Sequence, residues 1–453
     1  MRNLLKWIAV AKGKFSIRLK VEPSHPMMMM FKSLDWDYLV QMAEEQRKMS
    51  IKNGAGRKPH LRILIGAVIV RVIESCTLRK TQDMIQHYGP ARILCNLRWS
   101  IWTPNFRTLS DFEIMLGEKG LSKINAYVLK VARELGLADI RGLCSDTTAQ
   151  EADIPYPNEV GLMNSFCKSV EAAFALLKGK IGNASRSGLE TITKAKKLVR
   201  EHRLFAKSVE RKREIEQELL SLTNTVNQKL SKLIPMIGEK IKGHQKTACK
   251  RLVALRDVFL KLAPQIAHYI RNGKPAKNKI ISLFQPELRS IPRGKAGKPT
   301  EFGIKWGINR IRGGYIWPFL LQGFKKGEAD YMVQSIDEHI ALFGKAPDEF
   351  AYDRGGWSEA HLEKVKNKGV KRVAVAPRGQ ATWKVSSRCR ERMVRERAQV
   401  EGSIGTIKHI GFNKPNSKTT SGMIRAGHRA ALRLNLTKLV REAHMVGSIK
   451  KAA

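Results

Sequence analysis

The chain has 453 residues, enough for about three domains at roughly 150 residues each. Its 43% hydrophobic content is ordinary for a globular protein and excludes a disordered tail; six cysteines without a CxxC pair exclude a disulfide scaffold or zinc ribbon. The charge is not ordinary: 83 Lys and Arg stand against 40 Asp and Glu, a formal net charge of +43. Self-repulsion of that size opposes folding, and a polyanionic partner, nucleic acid first, is the natural reason to carry it.

The opening MRNLLKWIAVAKGKF has the look of a signal peptide, but Lys6 and Lys12 interrupt its apolar run and no small-residue cleavage site follows. The longest unbroken apolar stretch, about Leu64 to Val70, is far short of the ~20 residues of a membrane span. Basic amphipathic stretches also bind anionic membranes, but here the excess runs along the whole chain, which favours nucleic acid. The expectation is a cytoplasmic protein with no membrane partner.

Residues 1–34 read as a basic arm ending in the run Met27 to Met30, and residues 35–138 as a helical, DNA-binding domain. Leu61, Leu64, Ile65, Val68, Ile69 and Val72 recur at helical spacing, and Thr77 begins a second short helix through Met84 and Ile85. Joined by a Ser-Cys-Thr turn, these two helices read either as a helix-turn-helix for the major groove or as two packed helices of a bundle. Arg141 to Thr148 reads as a strand ending near Asp146. A helical block from about Leu162 to Leu283 follows, with Ile215, Leu219, Leu222, Val226 and Leu230 as the seam of a helical hairpin or coiled coil. Residues 161–300 carry an excess of 20 positive charges, either a solvated face or a surface that also touches a phosphate backbone.

At Phe302 the period changes to two: Phe302, Ile304, Trp306 and Ile308 alternate with Gly303, Lys305, Gly307 and Asn309. Gly313-Gly314 marks a turn and Tyr315 to Leu321 a returning strand, a hairpin signal. A helix from about Glu328 to Phe343, a strand at Phe350 to Asp353, a helix at about Ser358 to Asn367, a strand at Val370 to Ala376 and a basic helix at about Arg388 to Lys408 complete an α/β layer with mixed strand directions. A last amphipathic helix runs from about Met423 to His444.

In so basic a chain, Asp146 and Asp353 at predicted strand ends and Glu401 in the basic helix need an explanation. Gathered carboxylates repel, and one is forced to keep its proton unless cations intervene. Two divalent metals about 3.5–4 Å apart remove that penalty and supply a mechanism, one activating a nucleophilic oxygen and the other stabilising the leaving oxygen. Hard cations such as Mg²⁺ suit carboxylates, not sulfur. The plainer reading makes both Asp residues caps or turn formers. Arg397-(x3)-Glu401-(x6)-Lys408 lies on one predicted helix. At about 100° per residue Arg397 and Glu401 are about 40° apart, and Glu401 and Lys408 about 20° apart, so the three share a face. That pattern suits a metal ligand flanked by phosphate-gripping cations; the plainer reading is surface ion pairs, which contribute little.

On these residues the chain resembles the bacterial insertion-sequence transposases of the DDE type, whose C-terminal signature is Tyr-(x2)-Arg-(x3)-Glu-(x6)-Lys. Arg397, Glu401 and Lys408 stand at those spacings, with Val394 where the Tyr is expected. The family's first Asp, in a D-[GST]-[ST]-like context, matches Asp146-Thr-Thr, and its second, in D-[RK]-G, matches Asp353-Arg-Gly. The passages TLRKTQDMI and TPNFRTLSDF are similar to the helical domain before the family's core. About 150 residues separate Asp146 from the hairpin, an unusual place for a large insertion, and only 48 positions separate Asp353 from Glu401.

The resemblance implies an α/β (α+β) fold: an RNase H-like mixed sheet flanked by helices over 139–420, interrupted by a helical insertion at 160–298, after the N-terminal helical domain and before a C-terminal helix at 421–453. It implies a DNA transposase, an endonuclease and polynucleotidyl transferase of DNA recombination. Such an enzyme cuts at its element's ends and joins the 3′-hydroxyls to target DNA. Asp146, Asp353 and Glu401 would be its catalytic and metal-binding residues for two Mg²⁺ (or Mn²⁺) ions, and Arg397 and Lys408 would bind DNA. Its partners would be terminal inverted repeats, a target duplex and a second copy of the chain, on the bacterial nucleoid. The alternatives are an RNase H-like metal nuclease that only hydrolyses and a catalytically inactive DNA-binding protein. The active-site expectation is that three carboxyl groups meet at one pocket.

Overall fold

The computed structural model describes residues 21–50, 59–98, 100, 102–181, 185–237, 241, 243–295, 298–321 and 327–452. The chain divides into two compact units, the first made of 1–150, 305–415 and 421–453, the second of 151–304 and 416–420.

The first unit opens with helices α1 (Pro26–Ser33), α2 (Trp36–Ser50), α3 (Leu61–Glu74), α4 (Leu78–His87), α5 (Gly89–Leu94) and α6 (Phe106–Glu134). Residues 1–20 of the expected basic arm lie outside the described residues, and its remainder is no arm. Pro26 enters the first turn of α1, His25 caps it by accepting from the Met27 N–H at 3.2 Å, and Met27, Met28 and Met30 are buried. The methionine run is core, where flexible thioethers fill irregular gaps. Between α3 and α4, Ser75 takes a left-handed conformation (φ 47°) and the Thr77 hydroxyl accepts from the Lys80 N–H, stopping one helix and starting the next. Helix α3 buries residues all round it, Leu64, Ile65, Val68, Ile69 and Val70 among them, as a helix enclosed by others must.

The sheet has six strands: β1 (Asp139–Glu151), β2 (Arg289–Lys295), β3 (Lys298–Arg312), β4 (Ile316–Leu320), β5 (Glu349–Tyr352) and β6 (Arg372–Val375). Their order is β2-β3-β1-β5-β6, with β4 also paired to β3. Strands β2 and β4 run antiparallel to β3, and β5 runs parallel to both β1 and β6. The β3–β4 hairpin pairs Trp306 with Leu320 and Arg310 with Ile316. Its turn uses Gly313 and Gly314 at φ 97° and 91°, a region closed to most side chains. Helices α11 (Glu328–Phe343), α12 (Glu359–Asn367), α13 (Ser387–Ile407) and α14 (Thr420–Ala452) belong to the same layer architecture. The fold is therefore mixed α/β, mostly helical, with a mixed sheet flanked by helices.

Two expectations change. Strand β1 does not end near Asp146 but continues to Glu151, because Thr148, Ala149 and Gln150 remain buried beyond it. The block 160–298 is not wholly helical: β2 lies within it. Arg-Ser-Ile-Pro-Arg-Gly-Lys has no period of two, and its Pro292 fits only because β2 ends the strand order.

The second unit contains α7 (Glu159–Ile181), α8 (Arg186–Leu204), α9 (Val209–Leu233) and α10 (Gly243–Asn272). Ile215, Leu219, Val226 and Leu230 of α9 are buried, while Leu222 is only half-buried and Thr223 takes the core position, its hydroxyl satisfied by the Leu219 carbonyl at 2.9 Å. Phe166 and Phe259 stack at 4.1 Å between α7 and α10. Glu159–Leu177 is long and apolar enough to cross a membrane. Its Met163, Phe166, Val170, Phe174 and Leu177 instead make the core of this bundle.

Candidate active site

Asp146 is held on β1, Asp353 directly after β5, and Arg397 and Glu401 on α13, which packs on β5 and β6 through a buried stripe that includes Met393 and Val400. β5 is four buried residues long, so its neighbour Asp353 leaves the core as the chain turns into a short 3₁₀ segment, Arg354–Gly356. The side chains of Asp353 and Glu401 are 55% and 61% exposed and open to an incoming cation.

One guanidinium joins them. Arg397 places Nη1 3.6 Å from Asp353 Oδ1 and Nη2 3.3 Å from Glu401 Oε1. Its charge also reaches Asp146. Burial pushes the Asp146 carboxyl up to about 6; the Thr147 N–H, donating to Oδ1 at 2.7 Å, and Arg397 oppose that rise, while Asp353 and Glu328 add to it. Residues from three distant parts of the chain therefore share one electrostatic environment.

Glu328, expected from the sequence only as the start of a helix, is the fourth carboxylate. It opens α11, and Lys305 on β3 donates to its Oε1 at 2.6 Å while the Tyr352 hydroxyl donates to its Oε2 at 3.0 Å. The Thr147 hydroxyl lies 3.3 Å from Oε2. Burial, then the Glu328 charge, raise the Tyr352 phenol well above its ordinary range, so it stays a donor. Glu328 thus ties β1, β3 and β5 together one residue from Asp146 and from Asp353. An acid in the first turn of a helix ordinarily serves the helix dipole, so nothing in the sequence separated this one from the rest.

Glu396 stands apart. It accepts from Arg312 at 3.0 Å, and Arg312 also donates to the buried Glu349 at 2.6 Å. That structural network removes Glu396 from the set of possible ligands. Lys408 lies at the end of α13, where the helix widens into a π turn, Lys408–Phe412. It stands about 10 Å along the axis from Glu401 at 1.5 Å per residue. Val394, in the place of the expected Tyr, is exposed on the same helix.

The donor set fits hard divalent cations in kind: carboxylate oxygens, with neither thiol nor imidazole among them. Among the described residues no three His, Cys, Asp or Glu side chains converge tightly enough to hold a metal as they stand. Arg397 bridges two of the carboxylates and balances one of their two negative charges. The arrangement can bind cations and phosphate oxygens at one end of the sheet. Compared with known proteins, the chain matches no family model, no curated protein and no solved structure.

Proposed function

We propose that the chain is a DNA transposase of the DDE, insertion-sequence type, working on the nucleoid of a bacterial cell. The observation that carries this reading is the meeting of Asp353, Glu401 and Arg397 beside Asp146, in the order and register of the DDE signature. The succession β4-β3-β1-β5-β6 supports an RNase H-like core, with the helical unit inserted between its first two strands. The net charge of +43 supports a nucleic-acid partner.

Asp146, Asp353 and Glu401 would hold two Mg²⁺ or Mn²⁺ ions, which activate the attacking oxygen and stabilise the leaving one. Water first attacks a phosphodiester at the element's end, breaking the P–O3′ bond and leaving a 3′-hydroxyl. That hydroxyl then attacks a target phosphodiester in line, loses its proton, and displaces the target's own 3′-oxygen. No bond to the enzyme forms. Arg397 offers a planar fork that fits a phosphate, and Lys408 a point charge further along the strand. Glu328, fixed by Lys305, Tyr352 and Thr147, positions the Asp146 and Asp353 backbones. Basic faces of the first helices and of the helical unit are the candidates for duplex contact and self-association.

The test uses purified protein, Mg²⁺ and duplex DNA taken from either side of its gene, where terminal inverted repeats are expected. Nicks that leave a 3′-hydroxyl, followed by joining to a second duplex, are expected. Asp146→Ala, Asp353→Ala and Glu401→Ala should each lose at least about a hundredfold in cleavage while still binding duplex, since each removes a ligand and not a core side chain. Cutting without joining would leave a nuclease, and binding without cutting a DNA-binding protein.

A further inference from the structure

We propose that Arg397 is the site's resident cation: its guanidinium holds Asp353 and Glu401 together in the DNA-free protein, and only when DNA phosphate draws it away do divalent cations bind tightly. The inference rests on the metal-site reading above and adds an order of events to it. Three observations carry it.

Arg397 spans both carboxylates with different nitrogens, 3.6 Å to Asp353 and 3.3 Å to Glu401, so one group occupies the space a shared ion needs. Both distances exceed the ~2.7–2.9 Å of a closed charge-assisted hydrogen bond, so the contact offsets part of the acids' charge without locking geometry. The Arg397 side chain is three-quarters covered, whereas both acids are more than half exposed; ions and phosphates reach the acids from solvent.

A guanidinium stays charged in a protein, so the partner best able to draw it from these carboxylates is another anion. A phosphate diester is that anion, and its two free oxygens match the fork better than two carboxylates on separate elements do. Without DNA, an arriving Mn²⁺ meets a fixed positive charge between its ligands. With DNA, the same charge sits on the phosphate and the carboxylates are released together. Premature cation loading is thereby suppressed on a chain that holds no substrate.

The experiment measures Mn²⁺ binding by electron paramagnetic resonance on the full chain, for wild type, Arg397→Gln and Arg397→Lys, with and without a short duplex. Wild type should bind Mn²⁺ about tenfold more tightly with the duplex than without it, the size of an ordinary coupling between sites. Arg397→Gln should bind Mn²⁺ about tenfold more tightly than wild type without DNA and gain little from the duplex. Arg397→Lys, charged but unable to span both acids, should fall between them. Thermal melting of each variant confirms that all are folded. If Arg397→Gln binds Mn²⁺ no more tightly than wild type, the guanidinium merely braces the acids and the proposal fails. Raised Mn²⁺ affinity in Arg397→Gln together with a wild-type protein that neither cuts nor joins DNA would keep the inference and reject the transposase. Cleavage and joining by the wild type with unchanged Mn²⁺ affinity in Arg397→Gln would do the reverse.

Discussion

Asp146 pulls its own neighbourhood in two directions. Burial and the charges of Asp353 and Glu328 resist its ionisation, while the Thr147 N–H and Arg397 favour it. A group held this way destabilises the folded protein while it is ionised and unligated. Asp146→Asn, similar in size and uncharged, should therefore raise the stability of the metal-free protein at neutral pH by about 1–3 kcal/mol, read as a higher midpoint in denaturant. The same variant should not cut DNA. A midpoint that falls instead would mean that Arg397 already stabilises the carboxylate fully. The residue scale is also where the sequence was least legible. Asp146 and Asp353 stood out as acids at predicted strand ends, although the first strand runs on past Asp146, and Arg397 and Glu401 by their spacing on one helix. Glu328 did not, since what distinguishes it is the convergence of Lys305, Tyr352 and Thr147 from three strands or their ends. No spacing within one element encodes such a meeting.

Elements were read well where a period was uninterrupted. The helix expected from Glu328 to Phe343 has those bounds, and Arg397 and Glu401 share a face of α13 as about 40° of separation requires. Misreadings fall where tertiary packing overrides local pattern. The Met27–Met30 run ends up in the core, β1 outlasts Asp146 because its far end is covered, and β2 carries no alternation at all. The β3–β4 hairpin shows packing at its tightest. A Cβ on Gly307 would enter the ring of Phe319, its buried partner directly across the ladder. Gly307→Ala should therefore cost about 1–3 kcal/mol, the range for overpacking, although alanine suits a strand no worse than glycine does. Chemical denaturation of the two proteins measures it. An unchanged midpoint would show that the hairpin relaxes freely around the added methyl group.

Across the whole molecule, basic charge and buried neutral imidazoles set the conditions under which the fold survives. Burial lowers both His339 and His428 to about 4. In the unfolded chain each titrates near 6.5, so below that pH the unfolded state binds more protons. Their contribution is complete above about pH 6.5 and is lost as pH falls through 4, up to about 3 kcal/mol for each if nothing else relaxes. Urea midpoints measured from pH 7.5 to 4.5 should decline, and His428→Gln, which cannot charge, should flatten part of the slope. A slope unchanged by that variant would assign the acid loss elsewhere.

On the proposed reading, Asp146, Asp353 and Glu401 form one site for a pair of divalent cations when DNA is present. Anomalous scattering from Mn²⁺ in crystals of the chain bound to duplex DNA locates those cations. Two peaks about 3.5–4 Å apart are expected, ligated by the three carboxylates, with Arg397 turned onto a phosphate. Density elsewhere, or an Arg397 still bridging Asp353 and Glu401 with no metal beside it, would overturn the two-metal site.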